Sequence, residues 1–412
     1  MAKRKTKAKR PAAAPTARTR RKVLLLVETS RAYGRGLVQG VAHFNREHGA
    51  WSIYFKPHGL GDPPPPWLRD WQGDGILVRI GDQRMANAVR RTGVPAVDLR
   101  GLIKGTDLPF IGVDHREVAR LAAQHLLERG FRHFGFCGLP RRVHPHMDAL
   151  CDHFQEFIVQ AGFTCDVFKA RHGPSPGEAW EHQQSRAGQW VDQQDRITRW
   201  IESLPKPVGV MACHDDRAVQ VLDACRRMGT SVPETVAVIG VDNDQQLCEL
   251  SIPPLTSIDE MPSRIGYEAA SLLDRLMNGE ARPEGPILVP PRAVVARQST
   301  DVLATDDQVV ARAAHFISQH ATEGIRVKDV VAQVPVSRVT LALRFKQILG
   351  RTIREEIFRI QINQVKELLA TTNLPIKQVA KRSGFHYVEY MARLFRRHVG
   401  ETPATYRRRM RR

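Results

Sequence analysis

Long apolar runs are missing from this chain. No stretch of its 412 residues approaches the roughly 20 apolar residues that a bilayer span requires. "VLLLV" (23–27) is too short for the core of a secretion signal, and it leads into "ETSR" with no small-residue cleavage site. A membrane partner is therefore not expected, and a cytoplasmic setting is. Cysteine is sparse: the six (137, 151, 165, 213, 225, 248) form no C-x-x-C pair and sit in apolar stretches, as reduced core thiols do. Catalytic signatures such as G-x-S-x-G, H-E-x-x-H and G-x-x-x-x-G-K-[ST] are absent too. Neither an enzyme nor a cofactor is expected.

Acid is missing from one end. Residues 1–22 hold ten Lys/Arg and no Asp/Glu, and 306–412 hold 21 against nine, whereas 23–305 hold 31 against 34. The net charge of +19 thus sits on the two ends, so only those ends are expected to meet a polyanion. Residues 1–22, with Pro, Ala, Thr and positive charge, can form no core and read as a disordered arm, solvated or in non-specific phosphate contact.

The middle has the apolar pattern of a buried parallel sheet. Strands are expected at "VLLLVE" (23–28), "WSIYFK" (51–56), "GILVRI" (75–80), "PAVDLR" (95–100), "FIGVD" (110–114), "HFGFCGL" (133–139), "CDVFK" (165–169), "PVGVMAC" (207–213) and "VAVIGVD" (236–242), separated by amphipathic helices. Nine strands exceed one average sheet, so two doubly wound α/β lobes with a cleft between them are predicted. The chain should cross between lobes near 114 and 255. "PPRAVVARQSTDVLATDD" (290–307) lacks periodicity and reads as a linker. The two-lobed unit is taken as 23–299, the linker as 300–306 and the last domain as 307–412.

Polar residues end several strands on the side where such folds bind ligands: Ser30, Arg31 and Tyr33 after the first, Arg79 closing the third, Asp114 after "FIGV". Arg141 and Arg142 follow "FCGLP", His214, Asp215 and Asp216 follow "GVMAC", and Asp242 and Asn243 follow "VIGV". Carboxylates, Arg and Asn with an aromatic suit a polyhydroxyl ligand. Each Asp alone could equally cap the helix that follows. Two other motifs are weaker. In Gly34-x-Gly36 the third glycine comes at 40, one position late for a dinucleotide fingerprint. His144, His146, Asp148 and Cys151 lie close together but have no second ligand cluster, so no metal is expected.

After 306 β-branched strands stop and all patterns are helical. "VKDVVAQVPVSRVTLALRFKQILG" (327–350) and "IKQVAKRSGFHYVEYMARLFRRHVG" (376–400) repeat one unit, with Val327/Ile376, Lys328/Lys377, Val330/Val379, Phe345/Phe395, Lys346/Arg396 and Gly350/Gly400 in step after one inserted residue. A short helix, a tight turn and a second helix carrying Arg is a helix-turn-helix. Gly384 marks the second turn, where positive φ is needed. A long helix over 353–371 spaces the units so that two recognition helices enter successive major grooves, roughly 34 Å apart. Phe345, Phe395, Leu394 and Met391 are the expected core. Lys346, Arg396 and Arg397 should position on phosphates without specifying.

Residues 310–409 resemble the AraC/XylS family of transcription activators, through "IKQVAKRSGF" and "YMARLFRRHVGETPATYRR". The resemblance implies base-reading faces at Arg338, Val339, Thr340 and Ala342 in the first unit and His386, Val388, Glu389 and Arg393 in the second. Arg393 suits a bidentate guanine contact and Glu389 cytosine N4, while the small apolar first face suits thymine methyls or a positioning role. "AVIGVDND", "PPLTSIDEMPSRIGYEAASLLDRL" and "HDDRAVQVLDACRRMG" in turn resemble the periplasmic-binding/LacI-type sugar sensors, with His214 where an Asn is usual. Joined in this order, the two resemble activators of xylose-operon type. That resemblance implies Asp114, Asp215 and Asp242 on sugar hydroxyls, with Tyr33 or a neighbour against the ring. The expected partners are double-stranded operator DNA, a monosaccharide effector (xylose or a related pentose), a second copy of the chain and RNA polymerase. The alternatives are a sugar-converting α/β enzyme fused to a DNA-binding domain, and a ligand-blind architectural DNA binder.

Overall fold

The computed structural model describes residues 20–49, 51–59, 61–170, 187–302, 305 and 307–411. Residues 1–19 of the expected arm lie outside these, as do 303, 304 and 306 of the expected linker.

The first lobe begins with β1 (Arg21–Leu26), α1 (Ala32–His48), β2 (Trp51–Lys56), β3 (Gly75–Val78), α2 (Gln83–Arg91), β4 (Ala96–Asp98) and β5 (Ile111–Val113). Its parallel sheet runs β2-β1-β3-β4. A parallel bridge between Asp98 and Phe110 carries it on to β5. Val23, Leu24, Leu25 and Leu26 are all buried because helices cover both faces of this sheet. The arm ends earlier than expected: Arg21 and Lys22 already pair with Trp51 and Ser52. The Arg21 guanidinium also donates to Asn278 Oδ1 at 2.6 Å.

The second lobe comprises α3 (His115–Glu128), β6 (His133–Cys137), α4 (Pro145–Gln160), β7 (Cys165–Val167), α5 (Ala187–Ser203), β8 (Val208–Ala212), α6 (Asp215–Arg227), β9 (Val236–Val241), α7 (Gln245–Leu250) and β10 (Thr256–Asp259). The chain returns to the first lobe with α8 (Pro262–Met277) and β11 (Ile287–Val289), which pairs with β5. It crosses back once more to place β12 (Ala293–Val295) antiparallel to β10, giving the order β12-β10-β9-β8-β6-β7. The second crossing therefore follows Asp259 rather than 255, and a third exists that the sequence did not suggest.

The segment read as a linker from 290 is thus part of the two-lobed fold. Ser299 and Thr300 are fully buried. Ser299 Oγ donates to Val238 O at 2.6 Å and accepts from Thr256 N at 2.8 Å. These bonds satisfy backbone groups that a free linker would leave to water.

The glycines after β1 serve packing. A Cβ at Gly40 would lie 1.9 Å from Ser263 O, and one at Gly34 2.0 Å from Glu28 O. Gly40 thus lets α1 approach α8 closely and Gly34 lets α1 approach the backbone that follows β1, which answers the glycine motif without a nucleotide.

The last domain contains α9 (Gln308–His320), α10 (Val327–Val331), α11 (Arg338–Leu349), α12 (Ile353–Thr371), α13 (Ile376–Arg382), α14 (Val388–Val399) and α15 (Pro403–Arg411). It holds two separate cores. One gathers Val310, Ile317, Val330, Leu341 and Phe345 with Ile353 and Ile357 from the start of α12. The other gathers Val379, Phe385, Met391, Phe395 and Tyr406 with Ile362, Val365 and Leu369 from its end. One continuous helix therefore belongs to both units and fixes their separation, 19 residues or about 28 Å at 1.5 Å each. Its N-terminus is held by a Thr352/Glu355 capping box. Gly384 has φ 79°, and Gln361 Nε2 donates to Ala321 O at 2.8 Å beside it, tying the units together.

Candidate functional site

A cavity of about 100 Å³ lies between the lobes, with walls from both. Arg31, Tyr33, Arg79, Arg100 and Phe110 come from the first lobe, Met147, His115, His144, His146, His214 and Asp242 from the second, and Glu260 from the crossing that follows β10. Of the residues singled out from sequence, Arg31, Tyr33, Arg79, His214 and Asp242 meet here.

The others go elsewhere. Asp114 caps α3, accepting from Arg116 N at 3.1 Å and Glu117 N at 3.2 Å. Asp215 is buried behind the wall, where Ser257 Oγ donates to it at 2.5 Å and Asp244 N at 2.7 Å. Ser30 is exposed, and its carbonyl accepts from Arg35 at 2.8 Å. Arg141 pairs with Asp152 at 2.7 Å and lines a neighbouring cavity of about 410 Å³ with Asp148, Cys151 and Lys169. Asn243 is taken up by Arg297, which donates to its Oδ1 at 2.9 Å.

The cleft's electrostatics follow from burial. Burial first, offset by Arg31 and Arg79, pushes Asp242 up to about 7. Glu260 is hydrogen-bonded to Asp242, and burial together with that carboxylate raises it well above the usual range. The pair holds a proton near neutrality. Arg79 bonds Glu28 and lies over the Tyr33 ring, 5.2 Å from its centroid.

The histidines are neutral. Burial, with His146 and His153 nearby, lowers His115 to about 3, and burial also lowers His144 and His214 well below their ordinary value. His214 Nδ1 accepts from Arg217 N at 3.1 Å as the cap of α6, which puts its proton on Nε2. Among the described residues, His115 Nδ1, His144 Nδ1 and Glu28 Oε1 are buried with no hydrogen-bond partner. His146 Nε2 contacts the Arg100 carbonyl of the opposite lobe at 2.9 Å, and its ring stacks on Phe110. No cluster of His, Cys, Asp and Glu among the described residues is arranged to hold a metal.

Glu260, His115, His144 and Phe110 were not foreseen as a set. Glu260 follows β10, a four-residue strand that sequence reading passed over; the rule that ligand residues follow strand ends would have found it. Across the cleft, Arg31 pairs with Asp216 at 3.2 Å and Arg35 with Asp244 at 3.7 Å.

The far end of α3 meets the last domain. Arg351 Nη2 donates to Glu128 O at 2.6 Å, and Arg359 pairs with the Glu128 carboxylate at 3.3 Å. Glu356 binds both guanidiniums, with Arg359 Nη2 at 2.7 Å. Burial alone would raise Glu356, but Arg359 and Arg351 hold it down to about 2. One helix of 14 residues, about 21 Å long, thus runs from the cleft to α12.

In the last domain Arg338, Val339, Ala342 and Lys346 are exposed on α11, and His386, Glu389, Arg393, Arg396 and Arg397 are exposed on and beside α14. Thr340 is half-buried and bonded to the Ser337 cap, and Val388 is partly buried against the second core. Neither presents a free face. Leu343 and Tyr387, 68% and 72% exposed, were not foreseen. No helix among the described residues is long and apolar enough to cross a membrane.

Comparison with known proteins gives the same two parts. A periplasmic binding protein-like domain matches residues 123–300 and a helix-turn-helix domain residues 330–409. The xylose operon regulatory protein of Escherichia coli K12 is 30% identical over 394 residues, 94% of this chain and 97% of that protein. The xylose operon regulatory protein of Haemophilus influenzae is 29% identical over 391 residues, 94% of this chain and 98% of that protein. A solved structure of a xylose-binding transcription activator, xylR, superposes with a TM-score of 0.60 at 29% identity, covering 95% of this chain and 98% of that one. These relatives are regulators, and none supports the sugar-converting enzyme. The chain belongs to the family of the xylose operon regulatory proteins, and it is a sugar-responsive, DNA-binding transcription regulator rather than an enzyme.

Proposed function

We propose that the cleft binds D-xylose or a related pentose and that its occupancy sets the grip of α11 and α14 on operator DNA. The observation that carries this reading is that two buried polar atoms without partners, His115 Nδ1 and His144 Nδ1, belong to residues that line the same cavity as the Asp242–Glu260 pair. Such atoms are costly to bury unless a ligand completes them. A sugar hydroxyl both donates and accepts, as a neutral imidazole and a half-protonated carboxyl pair do. Phe110 and Tyr33 supply apolar ring faces. Of the residues foreseen, Arg31, Arg79, His214 and Asp242 contact the sugar, while Asp114, Asp215, Ser30 and Arg141 act around it.

Sugar favours the closed lobes, where the Arg31–Asp216 and Arg35–Asp244 pairs form. Closure shifts α3, and the Glu128–Arg359–Glu356–Arg351 network passes the shift to α12, which carries both helix-turn-helix units. The protein acts in the cytoplasm as a homodimer that activates xylose-utilisation genes, with RNA polymerase as a further partner. Residues 1–20 act as a basic arm, the sensor extends to Thr300 and the DNA-binding domain begins at Asp307, a division supported by the burial of Ser299 and Thr300 and by the Asp307 cap of α9.

Isothermal titration of the full chain with D-xylose, L-arabinose, D-ribose and D-glucose tests the ligand class. Saturable heat with a pentose is expected. Saturable heat with none of the four contradicts the sensor reading.

A further inference from the structure

The two recognition helices share one register and differ in chemistry. Offset by 50 positions, Leu341 and Phe345 of α11 fall on Met391 and Phe395 of α14, and all four are fully buried. In that register Val339 stands where α14 has Glu389, and Leu343 where it has Arg393. The side chains best suited to polar base contacts in the second unit are thus replaced by aliphatic ones in the first.

Val339 and Leu343 are each 68% exposed. With Ala342 and Lys346 they follow the i, i+3, i+4, i+7 spacing of one helix face, all of it exposed. A single exposed aliphatic residue is ordinary, but an aliphatic stripe on an outward face needs a partner. The charge around it names the partner. Arg338, Arg344 and Lys346 are exposed on the same helix; Asp307 already pairs with Arg344 at 3.5 Å, and Glu355, near Lys346, is taken up by the Thr352 cap of α12. An aliphatic stripe rimmed by cations fits a polyanion that carries methyl groups on its inner surface. The major groove of duplex DNA has this composition wherever thymine C5-methyls line up.

We propose that α11 reads thymine methyls through Val339, Ala342 and Leu343, so that the two units divide base recognition into an apolar half and a polar half. This rests on the operator-binding reading above and specifies what the first unit recognises. Lys346 and Arg338 hold the helix on the flanking phosphates. The bound site should therefore carry a run of thymines about one helical turn, roughly 34 Å, from the bases met by Glu389 and Arg393.

The full-length chain, with D-xylose present, is used to select duplexes from a randomised pool. The recovered site is then resynthesised with deoxyuridine in place of each thymidine in turn, which removes only the methyl. Expected are two or more positions, confined to one end of the site, where the loss weakens binding about fourfold each. A Val339→Ser, Leu343→Gln chain should lose that sensitivity and keep its preferences at the other end. Indifference to deoxyuridine throughout, or sensitivity that persists in the double variant, overturns the proposal. A double variant that changes its subunit number in sedimentation while keeping its base preferences assigns the stripe to a second copy of the chain and also overturns it. Recovery of no sequence at all overturns the operator-binding reading itself, and this proposal with it.

Discussion

At one end of α3, Asp242 and Glu260 share a hydrogen bond in the cleft, and the buried His115 Nδ1 and His144 Nδ1 that line the same cavity have no partner. At the other end, Glu356 lies between Arg351 and Arg359, and Glu128 completes the square. Both clusters are buried, yet burial raises the first two acids and the guanidiniums lower Glu356. The difference separates a binding site from a structural joint. A joint saturates its charges with one another. A binding site keeps some polar atoms unmatched, and the ligand supplies the remainder.

The largest expected effect lies at the joint. Glu356→Ala leaves two guanidiniums without their shared partner, and should cost about 3 kcal/mol of stability in denaturant unfolding. Asp242→Asn at the cleft should leave stability unchanged or raise it, while weakening pentose binding about thirtyfold in calorimetry, the loss of a hydrogen bond to a charged group. If both variants lose stability equally, the contrast between the clusters fails.

The pH dependence has opposite signs. Asp242 is raised to about 7, so the native state holds a proton that the unfolded chain releases near its ordinary value of about 3.9. Its contribution to stability is full below that value and lost as pH rises to about 7. Glu356, lowered to about 2, contributes stability above its ordinary value of about 4.3, lost as pH falls towards 2. Thermal unfolding from pH 3 to 8 should show Asp242→Asn flattening the neutral limb and Glu356→Gln the acid limb.

A smaller effect is expected for Glu128→Gln, which weakens the tie between α3 and Arg359. Pentose affinity should hold while the effect of pentose on DNA affinity shrinks by about 1 kcal/mol in paired titrations. Smallest is Arg396→Ala, an exposed phosphate contact. It should lower the slope of log affinity against log salt by about one, with base preferences unchanged.

The contrast also explains what the sequence could and could not disclose. The nine strands read from apolar runs are present, and so are the long helix at 353–371 and the duplicated unit, because each is a periodic pattern several residues long. The strands missed are "TSID", "ILV" and "AVV", three or four residues each with prolines close by, too short for periodicity to speak. Their loss hid the third crossing and Glu260 with it. Strand ends located the cleft, but did not say which way each side chain turns. Asp114 turned to its own helix as a cap, while Asp242, at φ 104°, turned inward. His144 and His146 drew notice only as metal ligands; that their rings stay neutral depends on burial, which spacing does not encode.

The central claim is that occupancy of the cleft and occupancy of the grooves are coupled through α3. It is tested most directly by measuring the pentose dissociation constant of the full chain twice, with and without saturating operator duplex. Linkage requires the ratio of the two to equal the ratio by which pentose changes operator affinity, and a factor of about 5 to 150 is expected. Identical pentose affinity in the two measurements would contradict the account.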